Sequence, residues 1–325
     1  MNKTTDRSLA TMARQMKKDD HFLILTHRRP DGDTVGSAVA LCIALRKLGK
    51  HAGICPNPEI QDRLERYMKP YVSAPDARVD NVVTVDVPSY GQMEATSKVY
   101  SDRIDYVIDH HLANQMAARK AKFADPSAAA TGEIIFRLIA ELGVQLDAEI
   151  AVPLYISLST DTGCFVYSNT TVQTHEIAAA CMRTGIDAAA LNKEFFESKR
   201  RQRFEIERLV TGDLRFFDDG KIAAIRVTQK MRRDTGATED DIDDFSSIPR
   251  KIEGVLVGIS AYEQPDGSTK ISVRTSGEVD GSVVCAAFGG GGHACAAGCS
   301  LKEGPEDAIK AVLAVVRTHL AALAQ

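Results

Sequence analysis

The stretch FLILTHRRPDGDTVGSAVALCIALRKLG, residues 22–49, decides the fold. Its first four residues are an uninterrupted apolar run, typical of a buried strand, and a helical pattern follows over residues 35–48. Gly49 then stands where a helix commonly ends. A strand that leads through a short polar turn into a helix is the repeating unit of an α/β sheet. The turn itself, HRRPDGD, concentrates an imidazole and two carboxylates where the strand ends.

The same alternation continues to about residue 185. The runs VVTVD and DYVIDHH, at residues 82–86 and 105–111, predict further strands, and residues 132–142 predict a helix closed by glycine. After residue 211 the pattern changes to hairpins, with turns at residues 219–220 and 265–267, and a final amphipathic helix spans about residues 305–324. The predicted fold class is α/β, with a doubly wound, mainly parallel N-terminal sheet domain and a smaller C-terminal α+β domain.

The predicted domain limits follow from this change of pattern. We expect a metal-binding catalytic domain at residues 1–186, a helical linker at 187–210 and a substrate-binding domain at 211–325, with the active site in the cleft between the two domains. Within the linker, Lys199, Arg200, Arg201 and Arg203 form the densest basic cluster of the chain. A solvated helix face is the simpler interpretation of this cluster, and contact with substrate phosphates is the alternative.

The composition is that of an ordinary globular protein, with 44% hydrophobic and 26% charged residues. A formal net charge of −4 argues against a broad basic surface, so long DNA is not expected as a partner. The first twenty residues carry charges throughout, and residues 311–324 are interrupted by Arg317 and His319. We therefore expect no secretory signal, no membrane association and a cytoplasmic location. The seven cysteines form no CxxC pair, which favours reduced thiols.

Polar side chains of metal-ligating type follow each predicted strand. They are His27, Asp31 and Asp33 after the first strand, Asp86 after the second, and Asp109, His110 and His111 after the third. A fourth group is Asp161, which follows the apolar segment at residues 152–158. Because ligands bind outside the carboxyl ends of strands in open α/β sheets, we expect these side chains to converge.

The predicted cluster points to metal ions. A single Asp after a strand is usually a turn former, but carboxylates massed together repel one another unless a cation holds them. Mixed imidazole and carboxylate donors without thiolate suit Mn²⁺, and after it Mg²⁺, Co²⁺ or Fe²⁺. A cluster of four Asp and two His offers six donors, which exceed what one ion usually takes from a protein. Two ions about 3.5–4 Å apart activate water in phosphoester hydrolysis, and we expect that arrangement here.

Asp109-His110-His111, taken in order with HRRPDGD, VTVDVPS and STDTG, resembles the DHH phosphoesterase superfamily. The resemblance implies two Mn²⁺ ions, with Mg²⁺ or Co²⁺ as alternatives. It implies that one ion is held by His27, Asp31 and Asp86, and the other by Asp33, Asp86, His110 and Asp161. Asp109 would orient a ligand, and His111 would lie near the scissile phosphate.

The C-terminal segment FGGGGHACAAG, residues 288–298, resembles the glycine-rich signature of the C-terminal domain associated with that superfamily. The resemblance implies that His293 and the amides of Gly290, Gly291 and Gly292 bind substrate phosphate. A bare turn is the alternative, but successive glycines leave backbone donors open to an anion. Arg274, in KISVRTSG, matches a position where the family often has a substrate-contacting arginine, although an exposed strand residue explains it equally well.

Within the superfamily, the chain resembles the compact two-domain group of bacterial oligoribonucleases (nano-RNases) and 3′-phosphoadenosine 5′-phosphate phosphatases. Both activities break the bond between phosphorus and O3′, so one site can perform both. The expected partners are short RNA oligonucleotides, mononucleotides with a 3′-phosphate and dinucleotides, and the family leaves room for a homodimer. Two alternatives stay open: a phosphodiesterase for linear or cyclic dinucleotides such as pApA or c-di-AMP, and a catalytically silent nucleotide-binding regulator.

Overall fold

The structure, a computed structural model, describes residues 8–276 and 279–323. The chain divides into two compact units, Met1–Ser198 and Lys199–Gln325. The elements of the first unit are α1 (Leu9–Met16), β1 (Phe22–Leu25), α2 (Gly32–Lys47), β2 (Ala52–Ile54), α3 (Asp62–Met68), β3 (Asn81–Val85), β4 (Tyr106–Asp109), β5 (Ala121–Ala124), α4 (Thr131–Leu142), α5 (Ala148–Asp161), α6 (Val172–Arg183) and α7 (Ala188–Asn192). A π-helical stretch, Lys193–Glu197, ends this unit.

The sheet of the first unit has five strands in the order β2-β1-β3-β4-β5, and every pairing is parallel. Its strands are buried on both faces, because Ile24 and Val83 pack into one apolar cluster while Leu25 and Val82 pack into another. In this order the chain reverses direction across the sheet between β1 and β3, and ligands bind in α/β sheets outside the carboxyl ends at such a switch point. The predicted doubly wound parallel sheet is confirmed.

One predicted element has a different structure. Asp161 follows an apolar run that we grouped with the strand ends, yet it is the last residue of helix α5. Residues of α5 from Leu154 to Leu158 are all buried, so the run shows no helical periodicity. A helix buried on every side cannot be distinguished from a buried strand by its hydrophobic pattern.

The elements of the second unit are α8 (Arg201–Gly212), β6 (Arg215–Phe217), β7 (Ile222–Val227), α9 (Gln229–Thr235), β8 (Val257–Glu263), β9 (Thr269–Thr275), α10 (Gly281–Ala286), β10 (Gly291–His293), β11 (Ala296–Leu301) and α11 (Pro305–Leu323). Its sheet has the order β10-β11-β9-β8-β7-β6, antiparallel except for the parallel pair β7 and β8. Both predicted hairpins, β6–β7 and β8–β9, are present. The smaller α+β domain is therefore confirmed, while Ala324 of the predicted last helix lies outside the described residues.

Among the described residues, none of the helices combines the length and the apolar character that crossing a bilayer requires.

Candidate metal centre

Six side chains predicted as metal ligands lie together at the carboxyl edge of the parallel sheet. The first group is formed by His27, Asp31 and Asp86. Nε2 of His27 lies 3.9 Å from Oδ1 of Asp31 and 3.7 Å from Oδ2 of Asp86. Nδ1 of His27 bonds to the carbonyl oxygen of Arg28 at 2.7 Å. A carbonyl oxygen can only accept, so Nδ1 is the donor, and Nε2 is the ring nitrogen that faces the carboxylates, as in metal-ligating histidines.

The second group is formed by Asp33, His110 and Asp161. Nε2 of His110 lies 3.8 Å from Oδ2 of Asp33, 3.7 Å from Oδ1 of Asp86 and 3.6 Å from Oδ2 of Asp161. Nδ1 of His110 lies 3.3 Å from the carbonyl oxygen of Ala128, so this ring also directs Nε2 at the carboxylates. The two groups meet at Asp86, which presents one oxygen to each histidine.

Asp86 is held in an unusual conformation. Its φ of 59° lies in the left-handed region, which costs a residue other than glycine about 1 kcal/mol or more. Hydrogen bonds fix the side chain in this position: the hydroxyl of Thr34 donates to Oδ2 at 2.6 Å, and that of Thr131 donates to Oδ1 at 2.9 Å. The fold thus stabilises a strained residue at the point shared by both groups.

Asp33 is fully buried and accepts hydrogen bonds from three helices. The hydroxyls of Ser37 in α2 and Ser157 in α5 donate to Oδ1. The amides of Thr131 and Gly132, at the start of α4, donate at 2.8 and 3.2 Å. These amides are among the donors that a helix leaves unsatisfied at its N-terminus, so Asp33 caps α4 while it faces His110.

The carboxylates are short of positive charge. Burial, followed by repulsion from Asp33 and Asp31, raises the pKa of Asp86 well above its usual range, and burial also raises the pKa of Asp33. Burial and the same two neighbours raise the pKa of Asp161 to about 8. Carboxylates crowded in this way ionise readily only when a cation balances them. With imidazole and carboxylate donors and no thiolate, the donor set fits divalent cations of the Mn²⁺ and Mg²⁺ type.

Asp109 and His111 form a pair beside this cluster. Nδ1 of His111 lies 2.7 Å from Oδ1 of Asp109, and Asn114 donates to Oδ2. Burial raises the pKa of Asp109, but the hydrogen bonds from His111 and Asn114 outweigh burial, so the net shift is downward. The hydrogen bond to Asp109 raises the pKa of His111, whose side chain is 42% exposed. The pair therefore presents an accessible imidazole on a fixed carboxylate.

The predicted substrate-binding residues lie in the second unit. His293 in β10 pairs with Ala296, and Ala296 pairs with Arg274 in β9, so the three residues form one row across the sheet. Residues directly opposite one another in antiparallel strands point to the same face. Arg274 also donates to the hydroxyl of Ser272 at 2.9 Å, and burial lowers its pKa.

The glycines before His293 are present for different reasons. A methyl group at Gly290 would lie 2.2 Å from the carbonyl oxygen of Gly298, and one at Gly292 would lie 2.5 Å from that of Ala296, so close packing requires both glycines. A methyl group at Gly291 would meet no atom within 4 Å. Packing therefore does not explain Gly291, and its exposed backbone is open to a ligand.

The basic cluster of the predicted linker is neutralised within its own unit. Each cation has an acidic partner, in the pairs Lys199–Glu207, Arg200–Asp241, Arg201–Glu205 and Arg203–Asp244. These pairs favour the interpretation as a solvated helix face over contact with phosphates.

Sequence reasoning missed the residues that hold the ligands in place. They are Thr34, Ser37, Asn114, Thr131 and Ser157. Of these residues, only Ser37 could have been found from the sequence, because it lies one helical turn after Asp33.

Family comparison places this fold and site in a known class. The N-terminal domain of the DHH family matches residues 21–158, and the DHHA1 domain matches residues 219–322. The chain belongs to the DHH family. Its members hydrolyse phosphoester bonds, so the prediction of a phosphoester hydrolase is confirmed.

Among characterised relatives, the chain is similar to the bifunctional oligoribonuclease and PAP phosphatase NrnA of Thermus thermophilus, where PAP is 3′-phosphoadenosine 5′-phosphate. The two are 33% identical over 302 residues, which cover 91% of this chain and 89% of the relative. The predicted resemblance to this two-domain group is confirmed.

Solved structures show the same fold. An exopolyphosphatase-related protein from Bacteroides fragilis superposes over 100% of both chains with a TM-score of 0.87 and 23% identity. RecJ from Thermus thermophilus in complex with Mn²⁺ has a TM-score of 0.54 and 14% identity, over 96% of this chain and 54% of RecJ.

Proposed function

We propose that this protein is a Mn²⁺-dependent phosphoesterase that breaks the bond between phosphorus and O3′ in short nucleotides. Its substrates would be oligoribonucleotides of a few residues, cut to 5′-mononucleotides, and PAP, converted to AMP. The observation that carries the proposal is Asp86, whose two oxygens face two separate histidines 3.7 Å away. The Thermus relative, named for both activities, supports the substrate class.

We propose that the cluster holds two divalent cations. One set of ligands is His27, Asp31 and Asp86, and the other is Asp33, Asp86, His110 and Asp161. Divalent cations at such a site acidify water and neutralise the charge of a phosphate. Support for Mn²⁺ comes from the mixed donor set and from RecJ, which shares the fold and binds Mn²⁺.

The Asp109–His111 pair would serve the leaving group. Asp109 accepts a hydrogen bond from Nδ1 of His111 and so fixes the ring, with Nε2 as the nitrogen free for substrate. We propose that Nε2 donates a proton to O3′ as the bond to phosphorus breaks. A positioned acid of this kind contributes about 10²- to 10⁴-fold to a rate.

The second unit would bind the phosphate of the substrate. We propose that the amides of Gly290, Gly291 and Gly292, together with His293 and Arg274, contact it. The row that joins His293 to Arg274 across the sheet supports this, and so does Gly291, which packing does not require.

The test is a substrate panel with two matched variants. Release of AMP and phosphate from PAP, and of mononucleotides from 5′-labelled RNA of two to five residues, is measured with Mn²⁺ and with EDTA. Asp86→Ala removes the shared ligand after β3. Asp80→Ala, on the exposed surface just before β3, is the control. Both activities should require Mn²⁺, disappear in Asp86→Ala and persist in Asp80→Ala.

Two other outcomes would contradict the proposal. Hydrolysis of pApA or c-di-AMP with no activity on PAP or short RNA would establish the dinucleotide phosphodiesterase instead. Binding of Mn²⁺ and nucleotide without hydrolysis of any substrate would establish the silent regulator.

A further inference from the structure

Tyr167 is an exposed aromatic residue in the loop GCFVYSNT, residues 163–170, which follows Asp161 and helix α5. Tyr167 is 59% exposed and its neighbour Val166 is 79% exposed. Exposed apolar side chains are individually common, but this pair belongs to the segment that leaves the candidate metal centre. Nothing in the chemistry of Asp161 requires an aromatic ring at this place.

Backbone conformation and ring packing hold this loop in one conformation. Gly163, Cys164 and Phe165 all have positive φ angles, of 56°, 58° and 65°, so the chain makes a left-handed turn after α5. Left-handed conformation is costly for Cys and Phe, and it persists only where surrounding contacts impose it. The ring of Phe165 supplies such contacts, because it stacks on His175 and packs against Tyr155.

Hydrogen bonds tie the loop to the candidate metal centre. The amides of Val166 and Tyr167 both donate to the carbonyl oxygen of Thr162 at 2.9 Å. The side chain of Asn169 donates to the carbonyl oxygens of Asp161 and Ala129. Position 167 is therefore fixed relative to the backbone of Asp161.

The ring of Tyr167 packs against a glycine while more than half of the residue stays exposed. A methyl group at Gly163 would lie 2.5–2.7 Å from three atoms of the Tyr167 ring, so the ring rests on the bare α-carbon of this glycine. Exposed aromatic rings held in position by their surroundings are what proteins use to stack nucleobases.

We propose that the exposed ring of Tyr167 is a nucleobase subsite, on which a base of the substrate stacks. This inference rests on the proposed function, and it names the part of the substrate that selects nucleotides over other phosphoesters. Every base has a π face, so the subsite accepts any of the four bases. Val166 extends the apolar surface beside the ring.

Kinetics with two substrates test the subsite. Tyr167→Ala should raise KM for PAP about 5- to 150-fold, which corresponds to the range measured for loss of one base–aromatic stack. It should leave kcat within about twofold, because the stack is present in both ground and transition states. Tyr167→Phe should keep the wild-type KM, and Val172→Ala, at another exposed apolar residue of the same unit, should not change it. With ribose 3,5-bisphosphate, which has no base, Tyr167→Ala should match the wild type.

Fluorescence separates this inference from the proposed function. The chain contains no tryptophan, so Tyr167→Trp introduces a single reporter at the subsite. PAP should quench its emission through stacking, and inorganic phosphate should not. Failure of the wild type to hydrolyse PAP would overturn the proposed function without deciding the quenching result. Hydrolysis of PAP by the wild type, with unchanged KM in Tyr167→Ala and no quenching in Tyr167→Trp, would overturn the subsite.

Discussion

Thr131 shows how much the candidate metal centre depends on residues outside the predicted ligand set. Its hydroxyl donates to Asp86 and its amide donates to Asp33, so one residue orients a carboxylate from each ligand group. Neither contact follows a sequence pattern, because 45 and 98 residues separate the partners. The candidate ligands could be predicted from the sequence, whereas their hydrogen-bond donors come from distant segments that only the fold brings near.

Replacing Thr131 by valine should weaken metal binding. The change keeps the shape of the side chain and removes the donor to Asp86, and loss of such a partner typically costs about 10- to 100-fold in metal affinity. The Mn²⁺ concentration for half-maximal activity should rise by that factor, with a smaller change at saturating Mn²⁺. Thr84→Val is the matched control, since the buried hydroxyl of Thr84 has no hydrogen-bond partner among the described residues. Equal metal requirements in the two variants would contradict the role of Thr131.

At the scale of elements, glycines set the distance between helices α2 and α5. A methyl group at Gly36 would lie 2.3 Å from the carbonyl oxygen of Pro153 and 2.9 Å from the amide of Ser157. One at Gly32 would lie 2.4 Å from the hydroxyl of Thr160. The two helices approach closely enough for Ser157 to reach Asp33, and this approach depends on the missing side chains.

Gly36→Ala should therefore separate α2 from α5. Overpacking of this kind costs about 1–3 kcal/mol, and urea unfolding should show a loss of that size in the free energy of unfolding. Gly212→Ala provides the comparison, because Gly212 is also helical but a methyl group there would meet nothing within 4 Å. That variant should be unchanged or more stable, since alanine lowers the entropy of the unfolded chain. A similar loss in both variants would show that packing at Gly36 is not the cause.

Some helices and strands could be predicted from the sequence, and others could not. Strands β1, β3 and β4 were evident because each contains an apolar run that is followed within two residues by Asp or His. Strand β5, AKFA, was not predicted, since only four residues pair and three of them are partly exposed. Asp161 was wrongly grouped with the strand ends, because residues 154–158 of α5 are all buried and show no helical periodicity. The strand order β2-β1-β3-β4-β5 cannot be derived from spacing at all.

At the scale of the whole molecule, metal removal should make stability depend on pH. Without cations, the pKa of Asp161 is raised to about 8, against about 3.9 for an unfolded aspartate. Between these values the unfolded chain releases its proton and the folded protein retains it. The contribution of this carboxyl group to folding stability is therefore fully present below about pH 4 and is lost as pH rises through about 8.

Differential scanning fluorimetry can check the predicted direction in which stability changes with pH. In EDTA, the melting temperature should fall between pH 5 and pH 9. Mn²⁺ at about 100 times its Kd should stabilise the fold by about 2.7 kcal/mol and should act more strongly at pH 8 than at pH 5. Asp161→Asn should flatten the EDTA profile. A melting temperature in EDTA that rises with pH would contradict the raised pKa.

The reactivity of the cysteine thiols tests which parts of the fold are buried. All seven cysteines are free, and Cys295 is exposed. Burial raises the pKa of Cys42 and of Cys55 to about 11 and that of Cys181 to about 12. At pH 8, a thiol reagent should label Cys295 first, and these three should react only after denaturation. Mass spectrometry of partly labelled protein identifies the order, and early labelling of Cys181 would contradict its burial.

The cap that Asp33 provides for α4 decides how a loss-of-function allele should be made. Replacing Asp33 leaves the buried amides of Thr131 and Gly132 without a hydrogen-bond acceptor. The variant protein would therefore be depleted by misfolding as well as inactive. Asp161 lies at the end of α5, faces His110 at 3.6 Å and can become asparagine with almost no change of shape. In a cell, Asp161→Asn should therefore remove the proposed activity at a normal protein level, whereas a change at Asp33 should lower the protein level itself.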